Sequence, residues 1–317
     1  MSVPQLRFKD EDEDEDEQDF PRWQVKKLSD VNIYISDGNY GEQYPKAEEL
    51  KQSGVPFIRA NNIKGLSLTW EDMRFIDHAH HKILTSGHLE TDDILVTTRG
   101  DIGMVAYVES EFHGSNINAQ ICLIRIIDSK KLSSRFLLQL LSSAYCQKQF
   151  KELQTGSALK QLPKKNLAQI EILYPVIPEQ TKIANFLTAV DEKISQLTQK
   201  YELLTQYKKG VMQQIFSQAL RFKPALSEVE GDEDGREFAE WEAKSLKDIA
   251  QIVGGGTPET GVKEYWNGNI QWFTPTELKS KYAAQSQRTI TESGFKNSSA
   301  KLLPIGTLLF SSRATVG

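Results

Sequence analysis

Residues 178–220 read PEQTKIANFLTAVDEKISQLTQKYELLTQYKKGVMQQIFSQAL. Apolar side chains recur along this stretch in alternating steps of four and three. One series is Ile183, Val190, Leu197, Leu204 and Val211. The other is Leu187, Ile194, Tyr201, Lys208 and Ile215, in which only Lys208 is polar. A seven-residue period of this kind draws one apolar stripe along an α-helix, as in a coiled coil. Pro178 suits the first turn, where its missing N–H costs nothing, and Glu179 suits the positive end of the helix dipole. At 1.5 Å per residue such a helix is about 60 Å long. The chain has no second stripe of comparable length, so this helix is expected to find its partner outside it. Those stripe positions, Lys208 apart, are the expected helix interface.

Upstream the pattern changes. Val31, Ile33 and Ile35 alternate as in a short strand, and Gly38, Asn39 and Gly41 mark turns. Residues 55–59 and 93–100 read as strands, the second β-branched and ending at Gly100. Residues 103–108 and 119–127 are two further strands. Residues 133–153 have helical spacing at Phe136, Leu137, Leu140, Leu141, Tyr145 and Phe150. The fold class expected is α+β: a mixed α/β unit over 20–176, then a long coiled-coil helix over 177–222. Downstream, residues 223–237 are small, acidic and glycine-containing, the composition of a linker.

The chain of 317 residues carries a net charge of −5, but the acids are unevenly placed. Residues 1–19 hold nine acids against Arg7 and Lys9, which leaves the remainder at +2. A run of like charge repels itself and buries nothing, so 1–19 is expected to be a disordered tail, either a solvated leader or a mimic of DNA charge. Overall charge therefore does not argue for nucleic-acid binding. The sequence has no apolar run long enough to span a bilayer and no apolar N-terminal signal, so a cytoplasmic location is expected. Cys122 and Cys146, the only cysteines, have no ligand-like spacing and are expected to be buried, inert thiols.

The sequence repeats itself. Trp241 to Leu246 restates Trp23 to Leu28, Ile270 to Thr274 stands where Val55 to Arg59 stood, and Leu308 to Gly317 matches Ile94 to Gly103. The offset moves only from 218 to 214, so two similar units lie in tandem. The second, 238–317, is expected to be incomplete, with apolar strands left unpaired.

Order, repetition and motifs together resemble the specificity subunit of Type I restriction–modification systems. The matching residues are Trp23 and Leu28, Trp241 and Leu246, Gly255-Gly256-Thr257-Pro258, Arg99 with Gly103, Arg313 with Gly317, Thr155-Gly156-Ser157 followed by Leu162, Leu167, Ile170 and Ile172, and above all Pro175-x2-Pro178-Glu179-Gln180-x2-Ile183-Ala184-x-Phe186-Leu187. The resemblance covers residues 20–220 and, as a fragment, 238–317. It implies two target-recognition domains, each reading half of a split double-stranded DNA target, with helices that set the spacing and bind modification subunits. It also implies that those subunits methylate adenine at N6 and that a restriction subunit can join. S-adenosylmethionine, ATP and Mg would belong to the partners, with no cofactor, metal or catalytic residue in this chain. The second recognition domain would be truncated, and the unpaired helix would make a homodimer reading a palindromic split site.

The residues agree with a non-catalytic role. An Asn/Asp-Pro-Pro-Tyr/Phe motif and a phosphate-binding Gly-x4-Gly-Lys-Ser/Thr loop are both missing from the sequence. His78, His80 and His81 lack a convincing ligand set, and Asp92-Asp93 reads as a turn before a strand. Base edges are read by paired hydrogen bonds from Arg, Asn or Gln, and phosphates by Lys, Arg and hydroxyls. Three segments offer these side chains at strand-to-loop junctions: Arg59, Asn61, Asn62 and Lys64; Thr97, Thr98 and Arg99; and Ser157, Lys160, Gln161, Lys164 and Lys165. Against this, Arg99 could pair with Asp93 or Asp101, and Asn61-Asn62 could be turn residues. The competing functions are a coiled-coil module whose α/β heads bind protein, and a non-functional remnant of a specificity gene.

Overall fold

The structure, a computed structural model, describes residues 20–222, 240–278 and 281–312. The acidic tail, the linker, and Arg313 and Gly317 therefore lie outside the described residues. The chain divides into two units, Met1–Ser217 and Gln218–Gly317.

The first unit runs β1 (Gln24–Lys27), β2 (Ile33–Asp37), β3 (Val55–Ile58), β4 (Ile63–Lys64), β5 (Ser67–Leu68), β6 (Arg74–Ile76), α1 (His78–Ile83), β7 (Ile94–Thr97), β8 (Val105–Tyr107), β9 (Asn116–Ile117), β10 (Ile121–Ile126), α2 (Ser134–Ser142), α3 (Ala144–Glu152), α4 (Lys164–Leu167), β11 (Glu171–Tyr174) and α5 (Ile177–Phe216). Its centre is an antiparallel sheet in the order β2-β10-β7-β8. Successive side chains of a strand point to opposite faces, and here both faces are buried. Ile94 and Val96 of β7, with Cys122 and Ile124 of β10, join the core under α2 and α3. Leu95, Ile121 and Leu123 join a second core with Ile58, Met73, Phe112 and Ile117. That is why these strands read as continuous apolar runs. A second sheet, β6-β3-β9, has a parallel β3–β9 pair, and β1 pairs with β11 across the unit.

The single helix expected over 133–153 is two. Ser143 is extended, with φ −65° and ψ 154°, and caps both neighbours. Its N–H and its hydroxyl both donate to the Leu140 carbonyl, and its oxygen accepts from the Cys146 N–H. A serine that competes for backbone groups in this way ends one helix and starts the next.

The long helix α5 has 40 residues and ends at Phe216, six short of the expected 222. Gln218, at φ 60°, takes the left-handed conformation that closes it. Its start is fastened by residues whose role differs from the sequence expectation. Glu179, expected as a partner of the helix dipole, is buried and accepts a hydrogen bond from Trp23 Nε1 at 3.2 Å. Gln180, also buried, accepts from the Ser133 N–H at 2.9 Å and donates to the carbonyls of Lys131 (3.0 Å) and Pro175 (2.8 Å). Ile183 and Ala184 then pack into the main core. Gln139 of α2 reaches Asp191 at 2.8 Å. Of the stripe, Ile183, Leu187, Val211 and Ile215 are half-buried, while Val190, Ile194, Leu197, Tyr201 and Leu204 are exposed.

The second unit has α6 (Leu246–Ile249), β12 (Trp266–Trp272), β13 (Arg288–Ile290) and α7 (Glu292–Lys296). β12 and β13 form an antiparallel pair that buries Trp266 and Ile290. Leu302, Ile305, Leu308 and Phe310 are exposed. No helix among the described residues is long and apolar enough to cross a membrane.

Candidate nucleic-acid interface

Four connections meet at one end of the β2-β10-β7 sheet. They are the loop after β2, the turn after β7, residues 118–120 before β10, and the loop between α3 and α4. Their backbones are tied together: Gly38 N–H donates to Ile121 O (3.3 Å), Thr98 N–H to Gln120 O (2.7 Å) and Leu162 N–H to Thr98 O (2.9 Å). Arg99 and Gln161 pair as an antiparallel bridge. The second and third sequence-predicted segments, far apart in the chain, are thereby brought side by side.

The result is an open hollow lined by Asp37, Tyr40, Thr98, Arg99, Gln161, Leu162, Pro163 and Lys164. Arg99 carries its guanidinium 5.1 Å from the centre of the Tyr40 ring. The ring is held by its own hydroxyl, which donates to Ala119 O at 3.0 Å. Burial, and then the negative charge of Asp37, push the Tyr40 hydroxyl above its ordinary pKa, so it stays a neutral donor at physiological pH. Neither acid considered in the sequence takes Arg99. Asp93 is fully buried and receives Arg125 through Nε (2.7 Å) and a terminal nitrogen (2.8 Å), while Asp101 offers its backbone carbonyl to Thr97. Arg59, Arg74, Arg125 and Arg135 each have an acidic partner. Arg99 makes no ion pair among the described residues. Its guanidinium lies over an aromatic ring and Arg99 lines an open hollow, an arrangement that suits a planar hydrogen-bonding edge.

Lys164 lies 3.9 Å from Asp37, a loose pairing between an exposed amine and a half-buried carboxylate. Ser157, Lys160, Gln161, Lys164 and Lys165 are all exposed. Thr97 and Thr98 are buried, which differs from the expected surface role. Thr97 Oγ1 donates to Asp101 O (2.5 Å) and accepts from Met104 N–H (2.9 Å), and Thr98 Oγ1 donates to Gln120 O (3.1 Å). They shape the turn that presents Arg99.

The first segment is committed to its own loop. Arg59 donates to Asp72 O (2.5 Å) and Asp72 Oδ2 (3.0 Å), and Asn61 Nδ2 donates to the same carboxylate at 3.1 Å. The hydrogen bond from Arg59 holds the Asp72 carboxyl below its ordinary pKa. Asn62 is fully buried: its Oδ1 accepts from Arg59 N–H (3.0 Å) and its amide donates to the Glu71 carbonyl (3.0 Å). Lys64 pairs with Glu71. Asn62 is thus an interior turn residue, corrected from a surface reader because a buried amide must satisfy backbone groups first.

Other candidates resolve into packing. Asp92 accepts from the Tyr107 hydroxyl. His80 contacts Gln43 O at 2.8 Å, and His81 bonds Asn116 and stacks on His88 at 4.6 Å. Among the described residues no group of three or more His, Cys, Asp or Glu is placed to hold a metal ion. Cys122 and Cys146 are buried, and burial pushes both thiols up, Cys146 to about 12. Sequence reasoning missed Tyr40. The turn signal Gly38-Asn39-Tyr40-Gly41 marked the loop that carries Tyr40, but its partner Arg99 is 59 positions away and only the fold joins them.

Comparison with known proteins gives a consistent outcome. The family model described as Type I restriction modification DNA specificity domain matches residues 21–206 and 239–317. The Type I restriction enzyme MjaIX specificity subunit of Methanocaldococcus jannaschii is 43% identical over 81 residues, 25% of this chain and 19% of that protein. The putative type I restriction enzyme MjaX specificity subunit of the same organism is 23% identical over 255 residues, 78% of this chain and 57% of that protein. Among solved structures, the S subunit of a Type I restriction–modification system from M. genitalium matches with a TM-score of 0.45 and 17% identity, covering 62% of this chain and 46% of that one. The chain spans less than two thirds of the length of each of these relatives.

Proposed function

The chain belongs to the Type I restriction–modification DNA specificity family, and from that premise we propose that it is the sequence-reading, non-catalytic subunit of a DNA-modifying complex. The first unit reads double-stranded DNA at the loop cluster around Arg99. Arg99, oriented by Tyr40, presents paired donors to a base edge; Gln161 stands beside it; Lys160, Lys164 and Lys165 take phosphates. The single observation that carries this reading is an arginine without an ion pair among the described residues, held over an anchored aromatic ring and bordered by exposed lysines.

The finer part of the proposal concerns partners. Modification subunits holding S-adenosylmethionine dock on the complex and methylate adenine at N6. A restriction subunit with ATP and Mg joins them. The target is split, one part per recognition unit. The exposed stripe Val190, Ile194, Leu197, Tyr201 and Leu204 pairs antiparallel with the same helix of a second copy, which places two first units at opposite ends of a two-fold assembly. The exposed stripe also favours a second reading, a coiled-coil module whose heads bind protein.

Salt separates the two. Binding to a duplex library should fall steeply with salt, with a slope of about −0.9 per phosphate contact in a log–log plot. The three lysines predict that Lys160→Ala, Lys164→Ala and Lys165→Ala together flatten that slope. Salt-insensitive binding, or none with well-folded protein, would sink the DNA reading in favour of the module.

A further inference from the structure

The loop between α3 and α4 carries an apolar side chain that neither core uses. Leu159 is 88% exposed, with Ala158 before it and Lys160 after it. The loop is not a loose excursion. Thr155 and Gln161 exchange backbone hydrogen bonds in both directions, at 2.8 and 2.9 Å. Gly156 sits at φ 94°, and a Cβ there would lie 2.3 Å from the Leu159 carbonyl, so only glycine fits and the tip is held in one shape. The same Gln161 is bridged to Arg99, which fixes the tip to the base-reading end of the sheet. A bare leucine at the tip of a loop pinned beside Arg99, with Lys160 next to it, has the form of a wedge. Cations grip phosphates on either side while the apolar side chain enters between base pairs and unstacks them.

We propose that Leu159 inserts between two stacked base pairs when the first unit docks on DNA, opening that step; this rests on the DNA-recognition reading above. It gives the protein a source of specificity beyond base contacts, because pyrimidine–purine steps unstack most easily.

The test compares a short fully paired duplex with the same duplex carrying one central mismatched pair, whose stack is already weakened. The full chain should bind the mismatched duplex about tenfold more tightly, the saving in unstacking that a wedge no longer has to supply. Leu159→Ala should abolish the preference and Leu159→Phe should keep it, while Lys160→Ala should weaken both duplexes alike. Because the side chain is in water, unchanged thermal unfolding of Leu159→Ala shows that the fold is intact. Equal binding of the two duplexes by the unsubstituted chain, or a preference that survives in Leu159→Ala, overturns the wedge and leaves the DNA reading standing. Absence of binding to either duplex overturns both. A variant that binds DNA normally but no longer captures the modification subunit also overturns the wedge and makes Leu159 a protein contact.

Discussion

The two units carry the same sequence pattern and give it different fates. Leu28 is fully buried, whereas its repeat partner Leu246 is 67% exposed. Ile94 and Val96 are fully buried in β7, whereas Leu308 is 94% and Phe310 70% exposed. What differs is the neighbourhood. β7 lies between β8 and β10, and β1 is paired by β11. Among the described residues, Leu308 to Phe310 pair with no strand. An apolar, β-branched run is therefore a strand only where the sheet supplies both neighbours.

Hydrogen exchange gives the largest expected contrast. Amides of Ile94 to Thr97 should exchange at least about 10⁴-fold more slowly than those of Leu308 to Phe310, because the former open only with the unit as a whole. Equal protection would erase the comparison. Next come matched truncations followed by chemical denaturation. Leu28→Ala should cost about 2–5 kcal/mol, and Leu246→Ala should stay within about 0.5 kcal/mol. A comparable loss at Leu246 would mean that the second unit has a core the exposures do not record. Arginines sharpen the contrast in function. Arg99→Ala should weaken duplex binding by about 1–3 kcal/mol, measured by fluorescence anisotropy. Arg288→Ala, whose guanidinium stacks 3.6 Å from the Trp266 ring, should leave it unchanged.

A further contrast appears only at alkaline pH. The Cys146 thiol titrates near 12 in the folded unit against an ordinary 9.0, because burial disfavours the thiolate. Its contribution to stability is full below pH 9 and is lost as pH rises toward 12. Urea midpoints of the first unit should therefore decline over that window. A disulfide-exchange reagent should label neither cysteine at pH 8 until the unit unfolds. The second unit holds no cysteine, and its tryptophan signal should not follow this window.

Much of this architecture was legible in the sequence where period and composition are local: β3, β7, β8, β10 and the long stripe of α5. The features set by distant partners were not. Ser143 looks like any helix-surface serine until its hydroxyl is seen capping Cys146. Glu179 reads as a dipole partner, yet Trp23, 156 positions away, takes it into the interior. Of the candidate DNA-reading residues, the half-buried Arg99 and the exposed Lys160, Gln161, Lys164 and Lys165 are those the fold gathers at one end of the sheet. Asn62, Thr97 and Thr98 have the right chemistry, but backbone groups take it: Asn62 and Thr97 within their own turns, Thr98 at Gln120 of the neighbouring connection. Donor type was readable from the chain, whereas whether the donors were free was decided by burial.

The most direct test of the central claim is to map N6-methyladenine in cells that co-express this chain with a modification subunit from the same source. The account predicts methylation at one split motif, symmetric if α5 pairs with a second copy, and loss or relaxation of one half in Arg99→Ala. An active modification subunit and soluble protein with no methylated motif, or a motif unchanged by Arg99→Ala, would contradict it.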